Sequence, residues 1–229
     1  GINKKDVLDE TVERSLKRLG ADWVDVYQYH GPDENTPIDE QLRVMDDLVR
    51  MGKIRYPATS NYDGWQLAEA RWVADRLRLA PFVSEQPHYN IFRRRVEREV
   101  FPFCRKYDVA IMSYSPIAGG WLGGKYRKAN ADPGDKTRRS QRADKLDTPE
   151  GKKRLEIIEE LVKLADGHGV PLSQFALAWV LDNPAVTSPI IGPRTMEHLE
   201  DNLAALDVDV TDEDRERVDE LVPSGVNQP

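Results

Sequence analysis

The sequence predicts an α/β fold in which helices wind a parallel sheet, in the manner of a (β/α) barrel. Three observations carry that expectation. Helical and strand-like stretches alternate along the 229 residues. Five short apolar runs each end in polar, hydrogen-bonding residues: His30, Ser60-Asn61, Gln86, Tyr114 and Gly192-Pro193-Arg194. A barrel of this kind builds its active site from the C-terminal ends of its strands, so such strand ends point to an enzyme rather than a passive scaffold.

The elements follow in order. Lys4 to Leu19 carries Val7, Leu8, Val12, Leu16 and Leu19 at helical spacing, with Gly20 as a stop. Val24 to Tyr29 reads as a strand, and the Pro/Asp/Asn-rich segment Gly31 to Pro37 as a loop. Ile38 to Met51 is helical, with Leu42, Met45, Leu48 and Val49 on one side. Ile54 to Thr59 is a strand. Asp63 to Leu79 is a helix with Asp63 as its cap residue. Phe82 to Glu85 is a strand, Arg94 to Tyr107 a helix and Val109 to Ser113 a strand. Ser115 to Thr148 is rich in Gly, Lys, Arg and Asp and has little periodicity; a loop this long in a compact domain is functional or disordered. Helices are expected over Pro149 to Gly167, Leu172 to Leu181, Thr195 to Leu206 and Asp212 to Val222, with a strand at Ser188 to Ile191. No linker or repeat divides the chain, so residues 1–229 are expected to form a single domain. The count is five strands where a closed barrel needs eight, and the chain opens on a helix as though earlier strands preceded it.

Composition narrows the function classes. The net charge of −7 argues against a nucleic-acid binder. No apolar run reaches the ~20 residues that span a bilayer, and Gly1-Ile2-Asn3-Lys4-Lys5 is not followed by a signal-peptide core. A lone cysteine, Cys104, fits a reducing cytosol, and its neighbours Phe101, Pro102 and Phe103 favour a buried structural thiol over a nucleophile. The four histidines show no metal-ligand spacing, so no metal site is expected.

The strand ends carry the chemistry. An imidazole at His30 can donate to a substrate oxygen or move a proton, or simply cap a loop. Ser60, Asn61 and Gln86 offer the donors and acceptors that a carboxamide needs, and equally suit turns. Tyr114 can stack on a flat heterocycle or fill the core. Gly119-Gly120 and Gly123-Gly124-Lys125 form a glycine-rich loop ending in a cation. Residues 125–145 hold eight Lys or Arg against three Asp, a net of +5 that suits an anionic ligand or a solvated surface loop. Gly192-Pro193-Arg194-Thr195 joins the last strand to a helix, where Arg194 can pair with phosphate and Thr195 can cap. Tyr89 and Trp121 are candidate pocket walls.

Together, Arg14-Ser15-Leu16-Lys17-Arg18-Leu19, Asp25-Val26-Tyr27-Gln28-Tyr29-His30, Gly52-Lys53-Ile54-Arg55-Tyr56 with Ser60-Asn61, Gln86-Pro87-His88-Tyr89-Asn90, Tyr114-Ser115-Pro116-Ile117-Ala118-Gly119-Gly120 and Gly192-Pro193-Arg194-Thr195 resemble the aldo-keto reductases. The Gln-Pro-x-Tyr-Asn form is similar to the branch containing bacterial reductases and potassium-channel β subunits. The resemblance implies a (β/α)8 TIM barrel, of which this chain supplies roughly the last five β/α units, binding NADP(H). It implies His30 as the active-site histidine that orients a carbonyl. It implies Ser60, Asn61 and Gln86 on the nicotinamide carboxamide and Tyr114 stacked on its ring. Ser115, Ile117, Gly119 and Lys125 would lie along the pyrophosphate, making 115–148 a cofactor-side loop. Gly192, Arg194, His198, Asp201 and Asn202 would surround the adenosine and its 2′-phosphate. His198 stands where the family usually has Gln or Arg, Asp201 where Glu is usual, and Pro57-Ala58 replaces an apolar-Gly pair. The family's proton-donating tyrosine, with its lysine and aspartate, is assigned to no residue here; the resemblance puts all three before Gly1.

The expectation is an enzyme that reduces an aldehyde or ketone to an alcohol with NADPH in the cytoplasm, these 229 residues alone being inactive, with no nucleic-acid or membrane partner and self-assembly left open. The alternative is a cofactor-binding regulatory or interaction protein, like a channel β subunit, with little turnover. An unrelated barrel hydrolase would bind no NADPH.

Overall fold

A computed structural model describes residues 11–126 and 148–228. The chain divides into two compact units, residues 1–87 with 96–112, and residues 88–95 with 113–229.

In the first unit the predicted alternation holds. Helix α1 (Glu13–Leu19) ends on Gly20, whose φ of 65° closes the helix as only glycine does easily. Strand β1 (Val24–Tyr29) follows, then α2 (Ile38–Arg50), β2 (Ile54–Ser60), α3 (Gly64–Leu77), β3 (Ser84–Gln86), α4 (Val100–Tyr107) and β4 (Ala110–Tyr114), whose last two residues belong to the second unit. The four strands pair in parallel and in chain order. Tyr29 faces Thr59, Ser60 faces Gln86, and Glu85 faces Ile111. This register matters because it brings the C-terminal ends of β1, β2 and β3 level. Leu42, Met45 and Leu48 of α2 are buried, as the helical spacing requires, and so are Ile54, Ala58, Ala74 and Ile111. Val26 and Tyr56, paired across β1 and β2, remain exposed.

Two details of this unit follow from backbone geometry. The Asp63 N–H donates to the Gln66 side chain at 2.8 Å, fixing the start of α3. Next to it, a Cβ on Gly64 would lie 2.6 Å from the Glu99 Cβ and 3.1 Å from its carbonyl carbon. Only glycine lets α3 begin so close to the chain entering α4.

The helix expected from Arg94 starts later, at Val100, after a short 3₁₀ turn over Arg95–Glu97. In the stretch before it, the Arg94 N–H donates to the Val226 carbonyl at 3.2 Å and the Arg95 N–H to the Asn227 side chain at 3.1 Å, which holds this segment against the end of the chain.

The second unit contains α5 (Pro149–Gly167), α6 (Leu172–Asp182), β5 (Ser188–Ile190), α7 (Met196–Leu203) and α8 (Asp212–Leu221). Thr148 and Pro149 start α5 with a side-chain cap and a proline in the first turn. Tyr89, Phe92, Leu122, Ile158, Leu161 and Phe175 form its core. Arg94 is buried there beside the Trp179 ring, 2.6 Å from the Asp219 carboxylate and 2.5 Å from the Val222 carbonyl. Asp214, bonded to Thr211 and His168, locks the start of α8; although burial opposes it, those bonds hold its carboxyl below the usual carboxylate range.

The first part of the expected Lys4–Leu19 helix, and Arg127, Lys128, Lys136, Arg138, Arg139, Arg142 and Lys145 of the basic segment, lie outside the described residues. Among the described residues no helix is long and apolar enough to cross a membrane.

Candidate active site

The strand ends of the first unit form one hydrogen-bonded cluster. Ser60, the last residue of β2, is fully buried, and its hydroxyl donates to the Gln86 carbonyl at 2.8 Å. Asn61 follows with φ at 60°, a left-handed conformation that asparagine tolerates better than most residues. Its backbone N–H also donates to the Gln86 carbonyl, at 3.2 Å. Its side-chain amide donates to the Ser60 hydroxyl at 3.0 Å and reaches the His30 carbonyl at 3.4 Å. Gln86 extends its own amide towards the Gln28 side chain, 3.4 Å away. His30, Ser60, Asn61 and Gln86 are thus neighbours, with the His30 and Asn61 side of the cluster exposed to solvent.

The loop after His30 is held from below. The Tyr29 hydroxyl donates to the Gln41 carbonyl at 3.1 Å, and the Tyr62 hydroxyl donates to the Gln41 side chain at 2.9 Å. Gln41 in turn donates to the Thr36 and Asp33 carbonyls at 2.6 and 3.2 Å. Burial raises the pKa of Tyr27, Tyr29 and Tyr62. These phenols are therefore poor proton donors to a substrate near neutral pH, and Tyr29 and Tyr62 act as struts.

Two residues of this cluster carry little signal in the sequence. Gln28 stands out only as the second polar residue, after Asp25, of strand β1. Glu85 stands out only as a carboxylate in the run Phe82-Val83-Ser84-Glu85. It is completely buried, and burial pushes its pKa up to about 7, opposed by the nearby Thr59 hydroxyl and the Tyr62 and Asn61 N–H groups.

In the second unit the half-buried Tyr114 ring stacks on His88, with centroids 4.7 Å apart and planes 16° from parallel. Burial, and then the charge of Arg93, lower the His88 pKa. With the imidazole neutral, its Nε2 accepts from the Asn90 amide at 3.2 Å, and the same amide donates to the Ser115 carbonyl at 2.9 Å. Ser115, Ala118, Gly119 and Gly120 all have positive φ. The turns close on themselves: the Ala118 N–H donates to the Ser115 carbonyl and the Gly120 N–H to the Ile117 carbonyl, each at 2.9 Å. Ile117 lies within this loop; Lys125 beyond it is exposed. Tyr89 and Trp121 are buried: Tyr89 stacks on Trp179, and Trp121 stacks on Tyr126. Both serve the core of this unit.

The loop after β5 presents Gly192 and Arg194 to solvent. Thr195 caps α7 by accepting from the His198 N–H at 3.2 Å. The His198 side chain is exposed and Asn202 is half-buried. Asp201 has a structural role. Its carboxylate accepts from Ser173 at 3.2 Å and Gln174 at 2.7 Å, fastening α7 to α6. Cys104 is buried, and burial, with the nearby Glu85 charge, pushes its thiol up to about 12. It is the structural thiol that its neighbours suggested.

The parallel strands with helices between them define an α/β protein, with amide side chains gathered at the strand ends. The sequence model of the aldo/keto reductase family matches residues 2–223. The chain belongs to that family, and its parallel strands and intervening helices are part of the family's TIM-barrel fold. It is 39% identical over 212 residues to the uncharacterized oxidoreductase YrpG of Bacillus subtilis, covering 93% of this chain and 62% of that one. It is 36% identical to a probable voltage-gated potassium channel subunit beta of Arabidopsis thaliana, covering 91% of this chain and 63% of the relative. It is 30% identical to versiconal hemiacetal acetate reductase of Aspergillus parasiticus, covering 99% of this chain and 65% of the relative. The chain thus spans a little under two thirds of the length of these curated relatives.

Proposed function

We propose that the whole protein reduces an aldehyde or ketone to an alcohol with NADPH. The observation that supports this most directly is the cluster of Ser60, Asn61 and Gln86 around one carbonyl, with His30 at its exposed side. Side-chain amides supply both a donor and an acceptor, the pair that a carboxamide demands. The donor set fits a nicotinamide dinucleotide at its other parts too. Tyr114 offers a flat aromatic surface, the Ser115–Gly120 loop carries glycines that let a phosphate come close to the backbone, and Lys125 and Arg194 offer exposed cations for phosphate. The bound cofactor supplies hydride to the carbonyl carbon.

In this reading Asn61, Ser60 and Gln86 fix the carboxamide, and Tyr114 packs against the ring so that one face is presented. Ser115, Ile117, Gly119 and Lys125 line the diphosphate. Gly192, Arg194, His198, Asp201 and Asn202 attend the adenosine end, and Asp201 also holds α7 to α6. His30 orients the substrate carbonyl and polarises it by a hydrogen bond. The proton for the forming alkoxide would come from the family's tyrosine, lysine and aspartate, none assigned to a residue here. The reading therefore concerns the whole protein. The substrate is a small carbonyl compound.

The test is NADPH oxidation, followed optically, with a panel of aldehydes and ketones. Turnover that His30→Ala reduces supports the proposal. NADPH binding without turnover of any carbonyl would favour a cofactor-binding regulatory protein, the role suggested by the channel-subunit relatives. No NADPH binding by the folded protein would overturn both.

A further inference from the structure

Glu85 sits on β3 immediately before Gln86, and successive strand residues point to opposite faces. Its Oε1 accepts the Tyr62 backbone N–H at 3.1 Å. Its Oε2 is buried with no hydrogen-bond partner. A buried carboxylate with an unused oxygen is expensive, and an apolar side chain would pack β3 against α4 at lower cost. The position therefore calls for a reason beyond packing.

What the carboxylate holds is the turn Ser60-Asn61-Tyr62. Asn61 is left-handed, and its neighbours pin it on both sides through β3. The Asn61 N–H binds the Gln86 carbonyl, and the Tyr62 N–H binds Glu85. The groups facing Glu85 are the Thr59 hydroxyl on β2, the Tyr62 phenol, the Cys104 thiol on α4 and, in register on β4, Ile111. None of these is a cation, and the carboxylate's hydrogen bond comes from the turn, through the Tyr62 N–H.

We propose that Glu85 is a positioning residue for the amide end of the cofactor: its ionised carboxylate grips the Tyr62 N–H and so holds Asn61 in the conformation that presents its side-chain amide. This rests on the reading of Ser60, Asn61 and Gln86 as carboxamide partners. A protonated carboxyl is a weaker acceptor than a carboxylate. Because Glu85 titrates near neutrality, its grip strengthens as pH rises, and cofactor affinity follows.

The test measures dissociation constants in the whole protein for two probes, NADPH and 2′-phosphoadenosine 5′-diphosphoribose, which lacks the nicotinamide. Glu85→Gln should weaken NADPH about tenfold, the scale of one well-made hydrogen bond to a charged group, and leave the second probe unchanged. Wild-type affinity for NADPH should improve about threefold or more between pH 6 and pH 8, relative to the second probe, if the carboxylate form is the gripping one. The variant should lose that dependence. Should Glu85→Gln fail to fold, Asn61→Gly keeps the left-handed turn without the amide and should abolish the same pH dependence. Equal affinities in wild type and Glu85→Gln, or equal losses for both probes, would overturn the inference and leave the proposed function standing. A wild-type protein that binds neither probe would overturn the underlying reading as well.

Discussion

Replacing Glu85 by glutamine should change how the protein's stability responds to pH. In the fold, burial raises the Glu85 pKa from the ordinary glutamate range to about 7. In the unfolded chain the group loses its proton near 4.5. Between those values the folded state holds a proton that the unfolded state has released. The contribution is thus fully present below about pH 4.5 and is lost as pH rises through 7. At 1.36 kcal/mol per pH unit, the loss comes to roughly 3 kcal/mol by pH 8. Glutamine cannot ionise, so its profile lacks this component. Its NH2 group takes the place of an oxygen without a partner and costs about 1–3 kcal/mol at every pH. The assay is urea unfolding followed by tryptophan fluorescence, at intervals from pH 5 to pH 8.5, for wild type and Glu85→Gln. The difference between the two cancels groups that both share. The variant should gain on the wild type by about 2.5 kcal/mol across that range. Parallel curves would refute the argument that Glu85 is buried with a near-neutral pKa.

Three further outcomes follow from the geometry. Gly64→Ala should destabilise the fold by about 1–3 kcal/mol, because its Cβ would meet Glu99 at 2.6 Å; chemical denaturation measures it, and a neutral result would contradict the packing at the start of α3. Cys104 should resist a thiol-specific reagent such as Ellman's at pH 8 in the native protein and react on unfolding; rapid native labelling would contradict its burial and its high pKa. Thr211→Ala should cost about 1 kcal/mol, since it removes the cap of α8 and a partner of Asp214, and a thermal melt unchanged from wild type would speak against that cap.

Much of the fold was legible because local signals and tertiary packing agree. The β1 and β2 positions follow from apolar runs, and α2 from its spacing of Leu42, Met45 and Leu48. The start of α4 was not legible. The segment before it is tied through Arg94 and Arg95 to residues some 130 positions away, contacts which no local window contains. The same limit explains the site. His30, Ser60, Asn61 and Gln86 could be read as strand-end residues, and the register of β1, β2 and β3 brings them together. Glu85 could not be read, since its importance comes from Tyr62 and Cys104 closing around it. Nor could the role of Asp201, whose carboxylate is taken by Ser173 and Gln174 of α6.

The most direct measurement is a crystal structure of the whole protein grown with NADP⁺. The carboxamide should lie within hydrogen-bonding distance of Ser60, Asn61 and Gln86, with the pyridine ring against Tyr114 and His30 facing the reactive carbon. A dinucleotide bound elsewhere, or with its carboxamide away from Asn61 and Gln86, would contradict the proposed site.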